Sequence, residues 1–125
     1  MNIGTLGRQG EELVAAAIKQ QGFIISARNF ASRFGEIDVI AENNTHILFV
    51  EVKTRSAGAI GAPREAVNAR KRQRIMSTAQ VYMMQNAINL QPRFDVAEVW
   101  QESSTGKWHI HYIKNAFGVE RYASF

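Results

Sequence analysis

GEIDVIAENNTHILFVEVKTR, residues Gly35 to Arg55, is the stretch on which the fold turns. Glu36 to Glu42 and His46 to Thr54 are rich in branched apolar residues that alternate with polar ones, and Asn43-Asn44-Thr45 between them is a turn sequence. Two antiparallel strands joined as a hairpin follow. Because successive strand side chains point to opposite faces, Glu36 and Asp38 are expected on one face of the first strand, with Ile37, Val39 and Ala41 on the other. In the second strand Glu51, Lys53 and Arg55 share a face, opposite Leu48, Val50, Val52 and Thr54. Ile47 and Phe49 precede Glu51 on its own face, so that face starts apolar and becomes charged toward the strand's C-terminal end. A core gives way there to a site.

Upstream, Leu6, Leu13, Val14, Ala17 and Ile18 recur at helical spacing from about Thr5 to Gln21, and Gly22 stands where a helix C-cap would end the run. Glu11 lies three residues before Val14 and seven before Ile18, on the apolar stripe, and is expected to point inward; Glu12 falls off the stripe, toward solvent. Phe23 to Phe30 reads as a further strand. Downstream of the hairpin, a second helix is expected from about Pro63 to Asn86, with Pro63 suited to its first turn and Val67, Ile75, Ala79, Tyr82 and Met83 at helical spacing. Lys71 is four residues from both Val67 and Ile75 and falls within that stripe, unlike Arg70 and Arg72. Arg93 to Trp100 and Lys107 to Ile113 form a last antiparallel pair around the turn residues Ser103 to Gly106.

The order is helix, three strands, helix, two strands. A helix between the third and fourth strands implies a crossover, so the expected fold is α/β: a central mixed sheet flanked by helices. Residues 1–125 show no repeat, low-complexity tract or linker and read as a single domain. The absence of cysteine excludes disulfides, thiolate nucleophiles and Cys-based metal sites. The N-terminal residues lack the pattern of a secretory signal, and no run reaches the roughly 18 apolar residues of a membrane span, so the expected location is the cytoplasm.

The formal net charge is +4. Arg64, Arg70, Lys71, Arg72 and Arg74 lie within eleven residues that hold one acid, Glu65, and of 15 basic and 11 acidic residues in all this leaves ten of each elsewhere. The whole excess therefore sits in one stretch, as a surface that grips nucleic-acid phosphates would have it. A solvated helix face accounts for the charge equally well.

A hard divalent cation such as Mg²⁺ takes oxygen ligands, and Asp38 and Glu51 supply two carboxylates on adjacent strands. Bound there, it would polarise a phosphate and acidify an attacking water, while Lys53 beside it orients or deprotonates that water or neutralises developing charge. An E-x-K pair alone is usually an exposed strand pattern; its weight comes from Asp38, the inward Glu11 and the basic helix together. His109 and His111 share a strand face but are assigned no role, and Tyr82, Met83 and Met84 are read as helix core and edge.

GEIDVIA (Gly35 to Ala41) followed by LFVEVKTR (Leu48 to Arg55) resembles the YraN-like protein family over nearly the whole chain. Gly7, Gly10 and Glu11, Asn29, the Gly61-Ala62-Pro63 turn, Lys71 with Ala79, RFDV (Arg93 to Val96) and IKNAF (Ile113 to Phe117) match as well. That family is similar to the restriction-endonuclease-like PD-(D/E)xK nucleases and, in layout, to archaeal Holliday junction resolvases. The resemblance implies an α-β-β-β-α-β core in which Glu11 is the helix-borne acid, Asp38 the motif aspartate, and Glu51 and Lys53 the E-x-K half, with the Val52 carbonyl as a further metal ligand. Ile37 stands where many of these nucleases carry proline. The implied activity is Mg²⁺- or Mn²⁺-dependent phosphodiester hydrolysis, DNA before RNA and branched DNA within reach, with Arg55 and the basic helix on the backbone. Symmetric junction cutting would call for a homodimer. The alternative is a non-catalytic nucleic-acid-binding or partner-docking module that keeps the nuclease fold.

Overall fold

Helix α1 (Ile3–Gln20) stops at Gly22, whose left-handed backbone (φ 92°) only glycine adopts without cost. The Gly22 N–H donates to the Lys19 carbonyl at 3.0 Å and the Phe23 N–H to the Ile18 carbonyl at 3.4 Å, a Schellman closure that turns the chain into β1 (Ile24–Ser32). Phe23 therefore belongs to the cap, and the strand starts one residue later than its composition suggests. The structure, a computed structural model, describes residues 3–55 and 68–118, without the side chains of residues 3–6.

After β1 come β2 (Gly35–Glu42), β3 (His46–Arg55), α2 (Ala69–Gln85), β4 (Gln91–Gln101) and β5 (Trp108–Phe117). The five strands form one sheet in sequence order. Only β3 and β4 run parallel, with α2 in the connection between them; the other neighbours are antiparallel. The expected mixed α/β sheet flanked by helices is thus present. Asn43 closes the β2–β3 hairpin by accepting from the backbone N–H groups of Thr45 (2.9 Å) and His46 (2.8 Å).

Both faces of the sheet are covered. Val14 and Ile18 of α1 pack on Val39, Ala41, Leu48, Val50, Ala97 and Val99. On the opposite face Ile75, Ala79 and Tyr82 of α2 pack on Ile40, Ile47, Phe49, Phe94, Val96 and Phe117. Phe49, Phe94 and Phe117 stack in a row at 5.5 and 5.2 Å, and Tyr82 meets Phe30 edge-on at 5.0 Å. Tyr82 is core, as expected, whereas Met84 is 83% exposed. No helix among the described residues is long and apolar enough to cross a membrane.

Helix α2 departs from its expected start. It begins at Ala69, not Pro63: Asn68 is extended (φ −74°, ψ 175°) and its side chain accepts from the Lys71 N–H at 2.9 Å, making it the N-cap. Pro63, Arg64 and Val67 lie outside the described residues. Strand β5 runs on to Phe117, past the expected end at Ile113, through a register shift opposite Asp95 and a left-handed Asn115 (φ 51°) that interrupts its alternation.

Asp95 explains that irregularity. Fully buried, it accepts from two nitrogens of the Arg93 guanidinium (3.0 Å from Nε, 2.9 Å from Nη2), from the Tyr112 hydroxyl (2.6 Å) and from the Asn115 N–H (2.9 Å). Four donors compensate one buried charge and pin β4 to β5. Asp95→Ala strips all four of their acceptor, and urea denaturation should show a loss of about 3–5 kcal/mol; a loss below about 1 kcal/mol would mean that the network does not hold the strand pair.

Candidate active site

The β2–β3 ladder ends at the pair Val39–Val50. One step further, the Asp38 carboxylate takes the place of a strand partner and accepts from the Val52 N–H at 2.8 Å. The alternation expected for β2 does not continue through this point. Val39 and Ala41 pack on the α1 side but Ile37 on the α2 side. Strand β1 turns over at the same level, since Arg28 reaches Glu12 of α1 while Phe30 meets Tyr82 of α2. Asn29, with φ 53°, stands across from Asp38 between the pairs Arg28–Val39 and Phe30–Ile37. A left-handed residue in β1 thus accompanies the twist that aims Asp38 edge-on at β3.

On β3, Glu51 continues the α2-side row of Ile47 and Phe49 and is almost fully buried, at 7% exposure. Lys53 follows on the same face, its Nζ 3.9 Å from Glu51 Oε2, and Lys71 reaches down from the first turn of α2 to the same oxygen at 3.0 Å. The inward direction read for Lys71 from helix phase is met. Glu11 is close enough for its charge to act on Asp38. Its helix is let in by Gly10, where a Cβ would fall 2.7 Å from Val99 Cγ2 and 2.8 Å from Thr54 Oγ1. Glu12, as expected, faces outward and pairs with Arg28 at 2.6 Å.

The electrostatics follow from crowding. Burial, and then a hydrogen bond with Glu51 and its charge, push the Asp38 carboxyl up from 3.8 to about 8, although the Val52 N–H pulls the other way. Burial and the neighbouring Lys71 lower the pKa of Lys53. Burial works against the Lys71 ammonium too, but its contacts with Lys53 and Glu51 outweigh that and raise its pKa. One lysine is therefore eased toward its neutral form while the other stays charged.

A cleft of about 590 Å³ opens over Asp38, Glu51 and Lys71, lined also by Glu36, Asn68, Arg70 and Arg74; Lys53 is not in its lining. The basic stretch divides around it. Arg70, Lys71 and Arg74 line the cleft, whereas Arg72 does not and is half-buried, and Arg64 lies outside the described residues. Arg55 is drawn aside into a 3.5 Å ion pair with Glu98. Asn68 is a cleft residue that sequence reasoning misses: an asparagine just before a helical run is a capping signal, but the helix-starting character of Pro63 outweighs it. Arg93 is two residues from Asp95, but nothing local marks the rest of the network, whose partners are 17 and 20 residues away.

As a cation site, Asp38 and Glu51 offer hard oxygen donors, and burial with the neighbouring Glu51 raises the Asp38 pKa. Among the described residues no group of three or more His, Asp and Glu side chains converges. Two carboxylates with room for water suit Mg²⁺, which gives up its hydration reluctantly.

The sequence has close relatives. A UPF0102 protein of Clostridium botulinum (strain 657 / Type Ba4) is 44% identical over 116 residues, covering 91% of this chain and 94% of the relative. A second, from Alkaliphilus oremlandii (strain OhILAs), is 44% identical over 117 residues, covering 90% and 97%. The model of the uncharacterised protein family UPF0102 matches residues 10–99, a span that runs from Gly10 at the α1 approach through the Asp38, Glu51, Lys53 and Lys71 cluster. The chain belongs to the UPF0102 family, the YraN-like proteins.

Proposed function

We propose that this protein is a Mg²⁺- or Mn²⁺-dependent nuclease that hydrolyses phosphodiester bonds in nucleic acid, DNA before RNA. One observation carries the proposal: Asp38, Glu51 and Lys53 converge where β2 and β3 separate, with Glu11 nearby and a cleft rimmed by Arg70, Lys71 and Arg74. The family resemblance to PD-(D/E)xK nucleases, carried by the motifs, points the same way.

Asp38 and Glu51 would hold the cation through their free oxygens, with the Val52 carbonyl as a further donor. When bound, the metal supplies Lewis acidity and a water of lowered pKa. Lys53, partly eased toward its neutral form by burial, is placed to hold that water and take its proton. Arg70 and Arg74 at the cleft mouth are placed to meet backbone phosphates. Branched DNA is the first substrate to try, and its symmetric cleavage would require two copies of the chain.

Two measurements test this. Purified protein with Mn²⁺ or Mg²⁺ should cut at least one of a panel of linear, flapped and junction DNAs, and Asp38→Ala or Lys53→Ala should slow cutting at least about a hundredfold with the fold retained. Binding that survives Asp38→Ala with no cleavage by any protein would instead indicate a docking module.

The second concerns pH. Asp38 holds its proton in the folded state up to about pH 8, whereas the unfolded chain releases it near 3.8. Its contribution to stability is thus complete at low pH and declines as pH rises between those values. Asp38→Asn keeps an acceptor for the Val52 N–H and should raise the metal-free urea midpoint at pH 7.5. The gain should shrink toward pH 4; a gain independent of pH would rule out a carboxyl held protonated.

A further inference from the structure

Glu51 presents a problem of charge compensation that the nuclease proposal leaves open. Its side chain is 8% exposed, and a carboxylate so deeply placed is tolerated only beside a cation. Two cations are present at the same oxygen, Lys71 at 3.0 Å and Lys53 at 3.9 Å. Asp38 and Glu51 together carry at most two negative charges, which the two ammonium groups already balance. A divalent ion added to that set would leave two uncompensated positive charges in a half-buried pocket, at separations where repulsion is strong. That repulsion favours the withdrawal of one ammonium.

The two lysines are not equally able to do so. Lys53 is on the sheet with its side chain 20% exposed, whereas the Lys71 side chain is 40% exposed and lines the cleft beside Arg70 and Arg74. The backbone of Lys71 is fixed by the Asn68 cap, so only its side chain needs to move. Its ion pair also occupies Oε2, one of the two oxygens with which Glu51 can meet a cation.

We propose that Lys71 is the exchangeable counter-ion of Glu51, and that a divalent cation enters the Asp38–Glu51 site by displacing its ammonium. This rests on the metal-site proposal above. Helix α2 would then act on the site through a competition for the Glu51 carboxylate, and metal affinity would be set below what the two carboxylates alone could give.

The experiment is a calorimetric titration of the full chain with Mn²⁺, with free Mn²⁺ followed by electron paramagnetic resonance. Lys71→Met should bind Mn²⁺ more tightly, on the order of tenfold, because the competitor is gone. Without metal it should unfold at lower urea than the parent, with Mn²⁺ recovering more stability in the variant than in the parent. Lys71→Arg, which keeps the charge and guards against a folding defect in the first variant, should bind no more tightly than the parent. Equal or weaker Mn²⁺ binding by folded Lys71→Met overturns the exchange. If that happens while Asp38→Asn abolishes parental binding, the metal site stands and only the exchange fails. If none of the proteins binds Mn²⁺, or if Asp38→Asn binds as the parent does, both proposals fall.

Discussion

The hydrogen bond from the Val52 N–H to the Asp38 carboxylate is the contact on which the rest of the site depends. A strand leaving its neighbour exposes a backbone donor that must find another acceptor. By supplying one from a side chain, β2 can diverge from β3 while both remain in the sheet. The gap is what allows Asp38, Glu51 and Lys53 to meet and gives Lys71 access from α2. The parallel β3–β4 pairing, continuous from His46–Gln91 to Arg55–Trp100, holds β3 straight on its other side, so the divergence is confined to one edge of that strand.

Asp95, fully buried, and Asp38, half-buried, are handled in opposite ways. Asp95 accepts from four donor atoms, two of them on a guanidinium, and its network is structural throughout, anchoring the end of β5 and absorbing the irregularity around Asn115. Asp38 receives one backbone bond and faces a second carboxyl, so burial and repulsion raise its pKa. Asp95 is compensated by donors fixed in the strands, whereas the charge beside Glu51 is met by two lysine side chains, one of them 40% exposed. That difference separates a structural carboxylate from a pair that opens to a cleft. It also explains why Lys53 and Lys71 crowd a single oxygen despite repelling one another.

Membership in UPF0102 places this arrangement within a family, and the matched span contains every acid and lysine of the cluster from Glu11 to Lys71. The cleft is basic on its α2 side and acidic at its floor. Such polarity suits a polyanion whose backbone must approach carboxylates, provided that a cation mediates the approach.

Much is legible in the sequence because it is local. The period-2 pattern of β2 and β3, the helical phase that turns Glu11 and Lys71 inward and Glu12 outward, and the mixed sheet implied by a helix between strands all rest on spacing within a few residues. Composition settles the absence of cysteine chemistry and the location of the basic excess. What spacing cannot supply is where alternation fails. Strands β1 and β2 turn over together at Asn29 and Asp38, and β5 shifts around Asn115, because acceptors and donors in neighbouring strands require it. The basic stretch is visible as charge, but only packing decides that Arg70, Lys71 and Arg74 line the cleft, that Arg55 pairs with Glu98 and that the helix is capped by Asn68. Sequence sets which faces side chains can occupy; which buried charge meets which partner is settled by long-range register, and that exists only once the sheet is assembled.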